Sequence, residues 1–294
     1  MRSIATPLLD VAYLESGPAD GIPVLMLHGF PYDVRAYDRA AELIAERGAR
    51  VIVPYLRGYG GTRFRDAATL RSGQQAALAQ DVIDLMDALG IGRAILVGYD
   101  WGGRAATIVA ALAPERVIGL VAADGYNVHH VASAGEPSDP LEESRMWYQY
   151  YFQTERGRSG LQRHRRELTA LLWRTWSPEW DEAESAFDAT APSFDNPDFV
   201  DVVIHSYRVR HGLVAGDPRY DAMEAAIAER PAVAVPTVIL APLADGLGPP
   251  EYEADLEYFT GPTEVVELPD VGHNLPQEAP RAVADAVASL LRYA

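Results

Sequence analysis

An aspartate stands at the apex of Gly98-Tyr99-Asp100-Trp101-Gly102-Gly103, between the apolar run Ile95-Leu96-Val97 and an alanine-rich stretch. Small residues on both sides allow a tight strand-to-helix turn that projects one side chain into a cavity, and the helix N-terminus behind it favours negative charge. Many enzymes with this turn carry serine there. A carboxylate in its place attacks saturated electrophilic carbon, such as an epoxide ring or a carbon bearing halide, and water then opens the resulting alkyl ester. Ester opening needs a base. His273, in Asp270-Val271-Gly272-His273-Asn274, follows an apolar run near the C-terminus, and neutral imidazole suits that task near pH 7. A second carboxylate should hold the imidazole tautomer. Asp245, just past Thr237–Ala241, is preferred for this role, with Asp124 as the competitor. The loop His28-Gly29-Phe30-Pro31 also ends an apolar run, so the amides of Phe30 and Trp101 are expected to form an oxyanion hole, each donor typically worth a few kcal/mol.

These residues require a scaffold of strands whose ends gather loops. Short apolar runs at Val24–Leu27, Val51–Pro54, Ala94–Val97 and Val117–Ala122 alternate with helical patterns, the mark of a largely parallel sheet. Leu78, Val82, Leu85, Met86 and Leu89 fall on one helix face, which Gly90 terminates. The pattern resumes with Thr237–Ala241, Glu264–Leu268 and a closing helix over Ala279–Leu291. The expected fold is α/β: a core of residues 1–126 and 230–294, split by a helical cap over 127–229. That segment is rich in Trp, Tyr, Arg and Glu. A cap would keep an ester intermediate dry.

Composition narrows the partners. The 294 residues carry a net charge of −17, which disfavours nucleic acid and anionic membrane surfaces. Zero cysteines exclude thiol nucleophiles and thiolate metal sites. No secretory-type segment is read at the N-terminus, where Val24–Leu27 is cut short by His28-Gly29, and no run approaches the roughly 18 apolar residues of a span. A cytoplasmic location is the default expectation. The remaining histidines, among them His129, His130, His205 and His211, assemble no metal motif and are read as surface or cap residues. The run Arg57-Gly58-Tyr59-Gly60-Gly61-Thr62 lacks the ending of a phosphate loop and is read as structural. No cofactor or metal is expected. A homodimer is left open.

With nucleophile, acid and histidine in this chain order, the sequence resembles the α/β-hydrolase superfamily over nearly its whole length, and within it the epoxide hydrolases. The aspartate elbow is shared with haloalkane dehalogenases. His28-Gly29-Phe30-Pro31 resembles the H-G-x-P loop of epoxide hydrolases, whereas dehalogenases commonly place asparagine where Phe30 stands. Tyr148-Gln149-Tyr150-Tyr151-Phe152-Gln153 resembles the cap segment whose first tyrosine hydrogen-bonds the epoxide oxygen, and Ser206-Tyr207-Arg208 resembles the place of a second lid tyrosine. The resemblance implies Tyr148 and Tyr207 as proton donors, Tyr150 and Tyr151 being alternatives in the same tyrosine-rich run, and a pocket lined by His28, Pro31 and Tyr151. It implies an epoxide and water as reactants and a vicinal diol as product. The rival is a haloalkane or haloacid dehalogenase using the same aspartate. For a haloacid an arginine should pair the substrate carboxylate, but Arg104 is expected to point along its helix. A non-catalytic small-molecule receptor on the same fold is a third reading, disfavoured by the full set of Asp100, Asp245 and His273.

Overall fold

The computed structural model describes residues 1–250 and 252–294. The apolar runs form a sheet ordered β1-β2-β4-β3-β6-β7-β8-β9. Its strands are β1 (Arg2–Ala5), β2 (Leu9–Ser16), β3 (Pro23–Leu27), β4 (Arg50–Pro54), the short β5 (Arg63–Phe64) paired only with β2, β6 (Ala94–Gly98), β7 (Val117–Ala123), β8 (Thr237–Pro242) and β9 (Thr263–Leu268). From β4 to β9 every pairing is parallel. The central strands β6, β7 and β8 are buried at every residue, as a sheet covered on both faces demands. The antiparallel β1 and β2 lie beyond the runs foreseen from sequence. The outer strand β9 carries exposed Glu264 and Glu267, charges that discourage edge-to-edge pairing.

Helices α1 (Asp38–Glu46), α2 (Gln75–Ala88) and α3 (Asp100–Leu112) follow strands of the first half of the sheet. Between β7 and β8 only helices occur: α4 (Pro140–Arg145), α5 (Trp147–Gln153), α6 (Glu155–Trp176), α7 (Ala183–Thr190), α8 (Phe199–Arg210) and α9 (Asp221–Ala228), with short 3-10 turns. After β8 come α10 (Tyr252–Asp255), α11 (Leu275–Glu278) and α12 (Pro280–Leu290). In register, Leu27 pairs with Gly98, Gly98 with Ala122, Ala123 with Leu240 and Pro242 with Leu268. The loops after β3, β6, β7, β8 and β9 therefore emerge side by side, at the strand ends where open α/β sheets place their chemistry.

Polar clips hold the helical segment on the sheet. Trp173 donates its indole N–H to the Pro31 carbonyl at 2.8 Å, and Asn196 donates to the carbonyls of Gly60 and Thr62. The glycine-rich loop is anchored by Arg57, which donates to both oxygens of Asp81 at 2.6 Å and to the carbonyls of Ser72 and Ala77. Asp33, at 2% exposure, accepts from Thr190 at 3.2 Å and Ser193 at 2.6 Å across the same seam. Burial pushes the Asp33 carboxyl from 3.8 up to about 6, against the hydrogen bonds from Ser193 and the Arg35 amide. A raised folded pKa means that the unfolded chain loses this proton first. Asp33 thus makes stability fall as pH rises from about 4 to about 6, by roughly 3 kcal/mol. Asp33→Asn keeps the shape without the charge. Its stability relative to the parent, from urea denaturation, is expected to improve by that amount between about pH 4 and pH 7; a gap independent of pH would show that the carboxyl is not held up.

Candidate active site

Asp100 opens α3 with φ of 50°, a left-handed conformation that aspartate tolerates better than most residues. The turn depends on its glycines. A Cβ on Gly102 would lie 2.0 Å from the Leu27 carbonyl oxygen, and one on Gly29 would lie 2.4 Å from the Asp100 side chain. This close approach lets the Phe30 amide donate to Asp100 Oδ1 at 2.7 Å and the Trp101 amide donate to the same oxygen at 2.6 Å. Oδ2 points the other way, 3.7 Å from His273 Nε2. His273 donates from Nδ1 to Asp245 Oδ2 at 2.6 Å. Asp124 lines the same cavity, but the imidazole nitrogen that the acid must hold is bonded to Asp245.

Burial alone would raise the Asp100 carboxyl, but the nearby His273, with the Arg104 charge and the Phe30 amide, holds it below its ordinary value. Burial works against the His273 cation too, yet Asp245 and Asp100 together hold its pKa well above the ordinary imidazole value. His273 thus lies between two acidic side chains that both favour its cation, and removal of either weakens its hold on the proton.

Above Asp100 the helical segment supplies aromatics. Tyr148 lines a cavity of about 150 Å³ together with Asp100, Asp245 and His273. Its hydroxyl accepts from Gln149 Nε2 at 3.2 Å, and burial pushes its pKa up to about 12. The Tyr207 ring is fully buried, 5.4 Å from that of Tyr148 and perpendicular to it. Phe30 packs beside both: its ring also meets Trp101, Phe152, Trp176 and Phe199. The Trp101 indole N–H is buried with no hydrogen-bond partner among the described residues.

Three expected pocket residues lie elsewhere. His28 is fully buried behind the site; its Nε2 accepts from the Leu56 amide at 3.1 Å and its Nδ1 donates to the Gly29 carbonyl at 2.9 Å. Both nitrogens serve the backbone, so His28 shapes the loop and does not face the cavity. Pro31 is likewise enclosed, under the Trp173 indole. Tyr151 turns away, its hydroxyl lying over Gly160 and its ring beside Trp147, because successive residues on a helix point about 100° apart. Tyr150, on the outer face, bonds Glu143. Conversely, two residues read as uninvolved line the cavity: Arg104, one helical turn past Asp100, and His129. Arg210, Gln149 and Asn127 join them. For Arg104 the signal was available, since residues four apart share a helix face.

The sequence profile of the α/β-hydrolase fold family matches residues 22–280. The chain belongs to that family. This α/β hydrolase is similar along nearly its whole length to a crystallised candidate epoxide hydrolase from Klebsiella pneumoniae, with 43% identity, a TM-score of 0.97 and coverage of 99% of this chain and 97% of that one. It is 39% identical over 114 residues to epoxide hydrolase 2 of Siraitia grosvenorii, covering 38% of this chain and 34% of the relative. It is also 34% identical over 139 residues to fluoroacetate dehalogenase of a Burkholderia species, covering 47% of this chain and 43% of the relative. The α/β hydrolase thus spans less than half the length of these two curated relatives. Among its described residues no helix is long and apolar enough to cross a membrane.

Proposed function

We propose that this α/β hydrolase is an epoxide hydrolase, with residues 127–229 as a cap over the core of 1–126 and 230–294. The observation that carries the reading is the division of labour on Asp100: one oxygen held by two amides, the other free and 3.7 Å from an imidazole that is itself bonded to Asp245. Oδ2 attacks an epoxide carbon, the C–O bond breaks, and the ring oxygen takes its electron pair and a proton from Tyr148 or Tyr207. Asp100 is now a neutral ester, so His273 loses one of the charges that hold its proton, and that proton returns to the tyrosinate through solvent. Neutral Nε2 then takes a proton from water as the water oxygen adds to Cγ. Oδ1 becomes the oxyanion between the Phe30 and Trp101 amides. Collapse expels Oδ2 with the product, which takes the proton from the imidazolium. The Asp100 acid gives its own proton to His273, restoring the starting state as the diol leaves.

A limiting amount of epoxide in heavy-oxygen water tests this path. The first-turnover diol is expected to be light, and the peptide containing Asp100 to gain one heavy oxygen. Label appearing directly in the first diol would mean water attacks the ring without an ester. The unpartnered Trp101 N–H favours a second reading, halide displacement, since an indole donor beside the nucleophile suits a departing halide. Halide released from haloalkanes or haloacids, with epoxides untouched, would establish that reading instead.

A further inference from the structure

Arg104 on α3 and Arg210 at the end of α8 are each 9% exposed. Arg104 Nε donates to the Asn127 carbonyl at 3.1 Å; Arg210 donates to Gln149 Oε1 at 3.3 Å and lies 4.9 Å over the Tyr207 ring. Among the described residues neither guanidinium pairs with a carboxylate. The contrast is Arg57, deeper still at 1% exposure, whose charge is matched by a two-pronged bond to Asp81. Two like charges buried together with most of their donors unused are costly. Burial and the Arg210 charge pull the Arg104 pKa down to about 9, and burial with these same neighbours holds His129 well below its ordinary value.

These groups sit at a boundary. Arg104, His129 and Arg210 line the 150 Å³ chamber that contains Asp100 and His273, and they also line a second cavity of about 310 Å³ running toward Gln75 and Ser206. Two carboxylates line that second cavity: Glu224 is engaged by Gln74, Gln75 and the Ala76 amide, and Asp221, exposed on the first turn of α9, forms no ion pair with either arginine. An anion is the missing counterpart, and the planar fork of arginine is matched to a carboxylate. Asp100 and Arg104 belong to one helix and line the same chamber, so an anion held by Arg104 and the carbon attacked by Asp100 can belong to one small molecule.

We propose that Arg104 and Arg210 form a carboxylate subsite and that the substrate is a short epoxy acid, its carboxylate within a few bonds of the ring. The assignment rests on the epoxide-hydrolase reading above. Glycidate and its uncharged counterpart glycidamide test it. The parent enzyme is expected to favour glycidate in kcat/KM by on the order of 100-fold, and unreactive propanoate, but not propanamide, should inhibit competitively. Arg210→Met should collapse the preference toward one, and Arg210→Lys should retain part of it. Equal turnover of both epoxides without inhibition by propanoate would overturn the subsite while leaving epoxide hydrolysis standing. Equal losses on both substrates in Arg210→Met, with the preference intact, would likewise overturn it. Dechlorination of chloroacetate with no hydrolysis of either epoxide would overturn the epoxy-acid assignment by removing the reading beneath it. The comparisons made on the parent enzyme need no variant to fold.

Discussion

Asp100→Asn is expected to lower steady-state epoxide turnover by roughly 10⁴-fold or more, because the amide nitrogen or oxygen cannot replace a carboxylate that both attacks carbon and accepts water at Cγ. The substitution suits the site sterically: asparagine also tolerates the left-handed backbone at this position, where φ is 50°. It leaves the Phe30 and Trp101 amides a carbonyl oxygen to bind. A second consequence separates lost chemistry from lost structure. His273 would keep Asp245 but lose the Asp100 charge, so its pKa, followed by NMR, should fall from its raised value. The mass of the Asp100 peptide before and after the assay excludes reversion by deamidation. Undiminished turnover without deamidation would remove Asp100 from the reaction.

His273→Gln should divide the two half-reactions. Ester formation relies on Asp100 and the phenols, whereas ester opening needs the imidazole, so one equivalent of epoxide is consumed per site and turnover then falls by roughly 10³–10⁴-fold. Intact mass should rise by the whole epoxide; a rise by an alkyl group alone, with halide released from a haloalkane, would indicate the dehalogenase path. The pH profile carries a further signature. In the parent, His273 holds the Asp100 carboxyl below its ordinary value while burial opposes it. Without the cation, Arg104 and the Phe30 amide are left to oppose burial, and the Asp100 pKa rises. The acid limb of the ester-forming burst is therefore expected to move to higher pH than in the parent. No adduct with either class of compound would remove the covalent ester from the mechanism.

What was legible in the sequence follows from physical differences among its parts. Strands β6, β7 and β8 are buried on both faces and so read as continuous apolar runs. In β2, polar Asp10 and Glu15 interrupt the run, and β1 is largely exposed, so neither announces itself. The loops of Asp100, Asp245 and His273 could be placed because strand ends in register gather them. Side-chain direction within a loop or on a short helix has no such constraint. His28 turning inward to bind Leu56, and Tyr151 turning out over Gly160, depend on neighbours distant in sequence. Arg104 and Arg210 lie on helices far apart along the chain and meet only once the helical segment folds onto the sheet.

One carbonyl of α6 joins that segment to the acid–base loops. The amides of Gly246 and His273 both donate to the Trp176 carbonyl, at 2.9 and 3.1 Å, while the next residue, Ser177, accepts from the Asn274 amide and donates to Glu278. The roof and the loops bearing Asp245 and His273 are therefore one mechanical unit at this corner. A hinge that lifted α6 would pull the imidazole off its station in the same movement, so traffic into the chamber is expected to pass elsewhere, where α5 and α8 border the cavities. On this arrangement opening and catalytic readiness need not alternate: a route past α5 and α8 would leave the contact between Asp245 and His273 assembled.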